Sequence, residues 1–372
     1  MKKIFLSAGE ISGDVHGAYL AKELLSKKEE IKLAGVGGEN MSRAGVKIIK
    51  DLTDKNSVGL LEGIPFIYEN IKSLYQVKKF LKKNPPDKIV LIDNQGFNLK
   101  LAKFAKKLDI PTFYYFAPQL WLWGKKKKNK MVENLDYILA TFRKEYDFYK
   151  DADVRVEYIG HPLLDELKHE KTLEDIKIDL NVKNDKIKIA LLPGSRDQEL
   201  KKLLPKYVEV AKKLKNKYIF LMPFSSEYFY NKYSSRVPDF VKTFVNKSND
   251  IMKISDIIVL SSGTATLEAA IYEKPMIITY KISKLSAWVA RKLIKVNYVG
   301  MPNILENEEI VPELLQDDFT VENIIEWINR FAEDRNFYKK TKDKLKAIKN
   351  KLKPEGAIKK AADIILGGEN RK

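Results

Sequence analysis

The chain has 372 residues, of which 44% are hydrophobic, and a formal charge of +18 from 68 Lys and Arg against 50 Asp and Glu. That length and apolar content suffice for two domains with full cores. Cysteine is absent and histidine occurs three times, which excludes disulfides, thiolate catalysis and Cys-ligated zinc, and argues against a His-based metal site. No apolar stretch approaches the ~20 residues that cross a bilayer. The positive charge draws nucleic acid or an anionic membrane surface. A lysine-rich or heat-adapted composition accounts for it equally well.

The N-terminal apolar run is interrupted early by Glu10 and Asp14, so residues 3–7 read as a buried strand and not as a signal peptide. Further strands are predicted at 32–36, 88–93, 112–116, 137–140 and 157–159, with amphipathic helices such as 15–25 and 67–81 between them. A charged stretch at 168–186 breaks the pattern. It resumes with strands at 187–192, 218–222, 257–260 and 276–280, and turns helical and charged from Val321. Strands alternating with helices imply parallel sheets covered on both faces. The expectation is two doubly wound α/β domains, residues 1–165 and 186–345, with one ligand cleft between them. A helical segment, 346–372, is expected to pack back towards the first domain. Ligands in such sheets lie beyond the carboxyl ends of the strands.

Several strand ends carry candidate chemistry. Gly9-Glu10-Ile11-Ser12-Gly13-Asp14 follows the first strand without dinucleotide-fingerprint spacing. It reads as a plain turn or as a loop lining the cleft. Gly37 and Gly38 end the second strand, where they serve a turn or permit close approach of a sugar or lipid head. Asp93 closes an apolar strand ahead of Asn94-Gln95-Gly96-Phe97-Asn98. A partly desolvated carboxylate there suits a general base, though a helix cap or Asx turn uses the same residues. His161 stands at the domain junction.

In the second half, Pro193-Gly194-Ser195-Arg196 and Ser262-Gly263-Thr264-Ala265-Thr266-Leu267-Glu268 each follow an apolar run. The first brings a cation to the sheet edge. The second brings the unpaired N–H groups of a helix start, a ready anion site. Glu268 follows Thr264 by four residues, on the same helix face, where it suits a ribose. Together they suggest a held diphosphate.

Other segments read as core or as membrane contacts. Residues 58–68 are apolar, with Leu60, Leu61, Ile64 and Phe66. Trp121 and Trp123 precede a basic run that includes Lys125, Lys126, Lys127 and Lys128. Residues 286–296 place Trp288 and Leu293 at helical spacing beside Arg291 and Lys292. Each is ordinary packing or solvated surface, or a region that meets a bilayer.

The motifs SAGEISGD (7–14), GVGGENMSRAG (35–45), LIDNQGFNLKLA (91–102), YYFAPQLWLW (114–123), YIGHPLLD (158–165), LLPGSRDQE (191–199), SSGTATLEAA (261–270) and YVGMPNILENEEIVPELLQ (298–316), in this order, resemble the lipid-A-disaccharide synthase family along nearly the whole chain. The resemblance implies a GT-B architecture of two Rossmann-like domains. It implies an inverting glycosyltransferase that joins UDP-2,3-diacylglucosamine to 2,3-diacylglucosamine 1-phosphate, releasing UDP. No metal or other cofactor is expected. By the same resemblance Asp93 is the candidate base, and Ser195, Arg196, Gly263, Thr264, Ala265, Glu268, Asn303 and Gln316 face the donor. Gly9, Glu10, Ser12, Asp14, Gly37, Gly38, Asn98 and His161 are expected to line the acceptor side. Anionic lipids of the inner membrane's cytoplasmic face are expected partners, no specific nucleic acid is, and a homodimer is left open.

Two motifs depart from the family pattern. Its Asp-x-Pro-Asp-Phe-Asn is Asp93-Asn94-Gln95-Gly96-Phe97-Asn98 here, without the second acid, and its Phe-Pro-Phe-Glu is Phe142-Arg143-Lys144-Glu145. The competing functions are another UDP-sugar enzyme, an epimerase or a transferase with a soluble acceptor, and a basic nucleic-acid-binding protein.

Overall fold

The computed structural model describes residues 1–27, 30–53, 63–168, 171–182, 186–281 and 297–367. The chain divides into two compact units: Met1–Glu166 with Leu352–Lys372, and Leu167–Lys351.

The first unit holds strands β1 (Lys2–Ala8), β2 (Ile31–Val36), β3 (Lys47–Lys50), β4 (Lys88–Ile92), β5 (Thr112–Tyr115), β6 (Tyr137–Ala140) and β7 (Arg155–Tyr158). They form one parallel sheet in the order β3-β2-β1-β4-β5-β6-β7. Successive side chains leave opposite faces of a strand, so the apolar run of β1 feeds two cores. Ile4, Leu6 and Ala8 pack under the helices Ile11–Leu25 and Ala357–Gly367. Phe5 joins Leu74, Val77 and Leu81 of helix Gly63–Lys83 and Leu101 and Ala105 of helix Gln95–Lys106. Burial on both faces is why these strands read as continuous hydrophobic runs.

The C-terminal helix belongs to this unit and is anchored at both ends. Lys88 Nζ donates to the Ile365 carbonyl at 2.6 Å, and Lys2 Nζ to that of Leu366 at 3.2 Å. These cations meet the unpaired carbonyls of the helix end. At the other end the Asp165 carboxylate accepts from Gly356 N at 2.7 Å and Ile358 N at 3.1 Å.

The second unit repeats the plan with β8 (Lys188–Leu192), β9 (Ile219–Phe224), β10 (Val241–Val245), β11 (Ile257–Ser261), β12 (Met276–Tyr280) and β13 (Glu313–Leu315), parallel in the order β10-β9-β8-β11-β12-β13. Its core joins Ile189 and Leu191 to Leu203, Leu204 and Tyr207 of helix Asp197–Leu214, and to Ile324 and Ile328 of helix Val321–Glu333.

Three strands were not expected from the sequence: β3, β10 and β13. All three are sheet edges, and β3 and β10 are mostly half-exposed. An edge strand is short and solvated on one side, so its residues (KIIK, VKTFV, ELL) carry no long apolar run. In both sheets the strand order reverses beside the first strand, at β1/β4 and at β8/β11. Those switch points open the crevices in which doubly wound sheets hold ligands.

Candidate active site

The first switch point brings Gly9–Gly13 beside Asp93. Asp93 and Asn94 take positive φ, 50° and 38°, a region that is uncommon outside glycine and in which Asp and Asn are enriched. Buried hydrogen bonds impose this turn. Asn98 Nδ2 donates to the carbonyls of Ser7 (3.1 Å), Ile92 (3.0 Å) and Asp93 (2.8 Å). Ser7 Oγ donates back to Asn98 Oδ1 at 2.6 Å, and Tyr114 OH donates to the Asp93 carbonyl at 2.7 Å. The turn aims the carboxylate at the first turn of helix Ile11–Leu25: a Cβ on Gly13 would lie 3.5 Å from Asp93 Oδ2. A Cβ on Gly9 would lie 1.8 Å from Asn94 Nδ2, so any larger residue there displaces the Asn94 side chain. Desolvation raises Asp93 from 3.8 to about 6; the charge on His16 opposes this, while Glu10 and Glu166 reinforce it. A carboxylate in that range is largely ionised at neutral pH and still accepts a proton readily.

Behind Asp93 lies a buried pair. His16 Nδ1 sits 2.8 and 2.9 Å from the two oxygens of Glu166. Its ring stacks on Phe116 at 3.9 Å between centroids, and Phe116 meets His161 edge-on at 5.6 Å. His161 Nδ1 accepts from Leu163 N at 3.2 Å, which puts its proton on Nε2. Burial first, and then the charge on His16, lower His161 to about 3, so it stays neutral.

A second buried acid stands on helix Arg143–Tyr149. Glu145 Oε2 accepts from Thr141 N at 2.8 Å. Its Oε1, Tyr149 OH and Trp121 Nε1 are buried without hydrogen-bond partners among the described residues. Burial raises Glu145 from 4.5 to about 7, against the hydrogen bonds from Thr141 and Phe142.

The second switch point places the loops after β8 and β11 side by side, since these strands are neighbours. Gly194 has φ +105°, and a Cβ there would lie 2.1 Å from Glu199 Oε2. That glycine lets the loop wrap Glu199, whose Oε2 accepts from Ser195 N at 3.0 Å and whose Oε1 meets Arg196 Nη1 at 3.2 Å. Gly263 and Thr264 are exposed at the start of helix Ala265–Ile271. Ser262 Oγ donates to the Val299 carbonyl at 3.0 Å, and Met301 N to Thr266 Oγ1 at 3.2 Å. The arrangement offers a guanidinium and a helix start at one sheet edge, which suits a diphosphate.

Residues 4–365 match the family model described as lipid-A-disaccharide synthetase. A lipid-A-disaccharide synthase of Persephonella marina is 38% identical, with 98% of each chain covered. That of Coxiella burnetii is 34% identical at the same coverage. The chain belongs to the lipid-A-disaccharide synthetase family. Among solved structures, the UDP complex of S. aureus MnaA superposes with a TM-score of 0.66 at 15% identity, covering 100% of this chain and 97% of that one. The UDP-GlcNAc 2-epimerase of Neisseria meningitidis bound to UDP-GlcNAc gives 0.63 at 16% identity, with 99% of each chain covered. At such identities the likeness shows the fold, the GT-B arrangement of two parallel-sheet units.

Several residues that the family resemblance placed towards ligands are committed elsewhere. Asp14 is buried and accepts from Gly38 N (2.6 Å), Asn40 N (2.9 Å), Asn40 Nδ2 (2.8 Å) and Met41 N (3.1 Å). Its carboxylate takes the N–H groups at the start of helix Glu39–Arg43. Gly37 and Gly38 are buried against Met41, Asp14 and Thr53, so they allow close packing and do not open a loop. Asn98 spends its amide on the Asp93 turn. Asn303 is fully buried: Nδ2 donates to Val311 O and Glu313 Oε1, both at 2.8 Å, and Oδ1 accepts from Ile310 N and Val311 N. With Glu313, which accepts from Val299 N and Gly300 N at 2.9 Å, it shapes the turn that touches Ser262 and Thr266. In both asparagines the side-chain amide is bonded to backbone.

Glu10, Ser12, Ser195, Arg196, Ala265 and Glu268 are partly exposed at the two switch points. Gln316, at φ +52°, follows β13, and its N–H donates to Tyr280 O at 3.0 Å. Lys126 and Lys127 are exposed, and Lys128 lies over the Phe148 ring at 5.3 Å. Leu60, Leu61 and residues 286–296 lie outside the described residues, as do the side chains of Ile64, Phe66, Trp123 and Lys125.

His16, Glu166, Phe116 and Glu199 were not singled out beforehand. His16 lies two residues past the SAGEISGD motif, in the predicted helix 15–25, and Glu199 closes LLPGSRDQE. Nothing local marks Glu166, which meets His16 from 150 positions away.

Proposed function

We propose that the chain transfers 2,3-diacylglucosamine from UDP-2,3-diacylglucosamine to the 6-hydroxyl of 2,3-diacylglucosamine 1-phosphate, giving a β-1',6-linked disaccharide 1-phosphate and UDP. The supporting observation is family membership across residues 4–365, with chemistry of the right kind at both switch points. Asp93, at about 6, takes the acceptor's proton as its oxygen attacks the anomeric carbon from the face opposite UDP. The leaving diphosphate is met by the Arg196 guanidinium and the N–H groups of Gly263, Thr264 and Ala265. Such fixed donors are worth most where charge develops. Glu268 takes the ribose. In this scheme the leaving charge is met by protein groups, and no metal is called on.

Substrates with acyl chains require work at a lipid surface. Among the described residues no helix is long and apolar enough to cross a membrane. Helix Gly63–Lys83 exposes Ile71 at 55% and Tyr75 at 69%, with Lys72, Lys79, Lys82 and Lys83 nearby. An apolar and basic surface of this kind suits peripheral binding to anionic lipid.

The test is UDP release from UDP-2,3-diacylglucosamine in detergent micelles, with and without 2,3-diacylglucosamine 1-phosphate. Acceptor-dependent release with a disaccharide product by mass spectrometry is the expected result. A folded protein that binds UDP yet gives no such product would overturn the acceptor assignment.

A further inference from the structure

The buried pair behind Asp93 has no part in the scheme above. Ionisable side chains are seldom buried without a function or a specific partner. Glu166 ends the first of the two chain segments that make up the first unit and stands on the short helix Leu163–Glu166. It closes on His16 with both oxygens within 2.9 Å, and the side chains are 3% and 5% exposed. Phe116, itself at φ 58°, holds the imidazole flat from one side. His16 lies three residues beyond Gly13, on the same face of helix Ile11–Leu25, and Gly13 is the point where Asp93 Oδ2 meets that helix.

We propose that His16, paired with both oxygens of Glu166 and one helical turn from the point where Asp93 meets helix Ile11–Leu25, is a positioning residue for the reaction: the pair presents a positive charge towards the Asp93 carboxylate and directs it at the acceptor hydroxyl. The inference rests on the reading of Asp93 as the base. The proton passes from the acceptor 6-hydroxyl to Asp93, the new C–O bond forms, and UDP leaves with the bonding pair. His16 exchanges no proton in this step; it contributes charge alone.

The other groups around Asp93 give the sign. Glu10, next to helix Ile11–Leu25, and Glu166 both disfavour its ionisation, and Glu145 on helix Arg143–Tyr149 is within electrostatic reach. Tyr114 of β5 bonds the Asp93 carbonyl and not the carboxylate. His16 is therefore the positive group that opposes desolvation at this position.

The experiment is the pH profile of kcat/KM for acceptor-dependent UDP release by wild type, His16→Gln, His16→Gln with Glu166→Gln, and Asp93→Asn. Wild type is expected to show an acidic limb near pH 6. His16→Gln moves that limb up by about one pH unit, so activity falls ~5-fold at pH 6 and returns close to wild type by pH 8.5. Adding Glu166→Gln removes the uncompensated negative charge and draws the limb back down. A His16→Gln enzyme whose rate falls by one factor at every pH, with the limb in place, overturns the inference. Asp93→Asn that retains activity overturns the base assignment instead, so the two failures are distinguishable. If His16→Gln does not fold, 15N spectra of the wild-type histidines decide. An imidazolium that persists at pH 7.5 is the expected result, and a His16 already neutral at pH 6.5 overturns the inference.

Discussion

At the scale of single residues, Asp93 combines an unusual backbone with an unusual acidity. Its left-handed turn is held by Asn98 and Tyr114 and not by its own carboxylate. Asp93→Asn should therefore leave the fold intact while kcat falls ~100-fold or more, as expected on loss of a general base; circular dichroism and steady-state rates check both halves. Glu145 has a consequence for stability. Its folded-state value, about 7, lies above its ordinary 4.5. Below pH 4.5 the folded and unfolded chains both keep the proton. Between 4.5 and 7 the unfolded chain releases it first, so stability declines through that window, by a contribution on the order of 3 kcal/mol. Glu145→Gln should thus match wild type in Tm near pH 4.5 and exceed it at pH 8. An equal difference at both pH values would sink this account.

At the scale of elements, the loop after β8 differs from an ordinary βα turn in how it is tied. Gly194 is irreplaceable on two counts, a φ of +105° and a Cβ position 2.1 Å from Glu199 Oε2. Gly194→Ala should displace Glu199, release Arg196 and weaken UDP binding at least ~10-fold by calorimetry, with the cost of an alanine at positive φ added to stability. Gly96 presents the opposite case. It is exposed in the first turn of helix Gln95–Lys106, and a Cβ there meets nothing within 4 Å. Gly96→Asp, the residue of the family pattern, should raise Tm slightly. It loses the entropic cost of glycine and gains a carboxylate at a helix start, together about 1 kcal/mol. A fall in Tm by differential scanning fluorimetry would contradict this.

At the scale of the whole molecule, the chain leaves the first unit after Glu166 and returns to it at Leu352. The returning helix buries Ala357, Ala361, Ala362 and Ile365 against β1 and helix Ile11–Leu25. Deleting residues 352–372 should therefore destabilise the first unit, with earlier proteolysis in residues 1–166 than in 167–351. The excess positive charge bears on the same scale. Binding to anionic vesicles should weaken steeply between 50 and 300 mM salt, because surface charge interactions are screened over about 10 Å or less.

Sequence alone determined the parts of this protein whose signals are local. Continuous apolar runs marked the central strands, since a strand buried on both faces has no polar alternation to blur it. Glycines and small residues after those runs marked the carboxyl ends of the strands, and the ordered motifs marked the family. Edge strands stayed hidden because solvent accepts almost any residue on their open side. Tertiary structure decided what depends on meetings at long range. The 3-2-1-4 strand order puts Gly13 beside Asp93, and the return of the chain puts Glu166 on His16. Asn98 and Asn303 were placed towards ligands by the family resemblance alone, and an amide side chain serves a ligand or a backbone turn with the same groups. Only the backbone groups brought around each one settled where its hydrogen bonds go. Burial settled the acidity of Asp93 and Glu145 in the same way, because desolvation depends on every neighbour the fold assembles and on none that the flanking residues disclose.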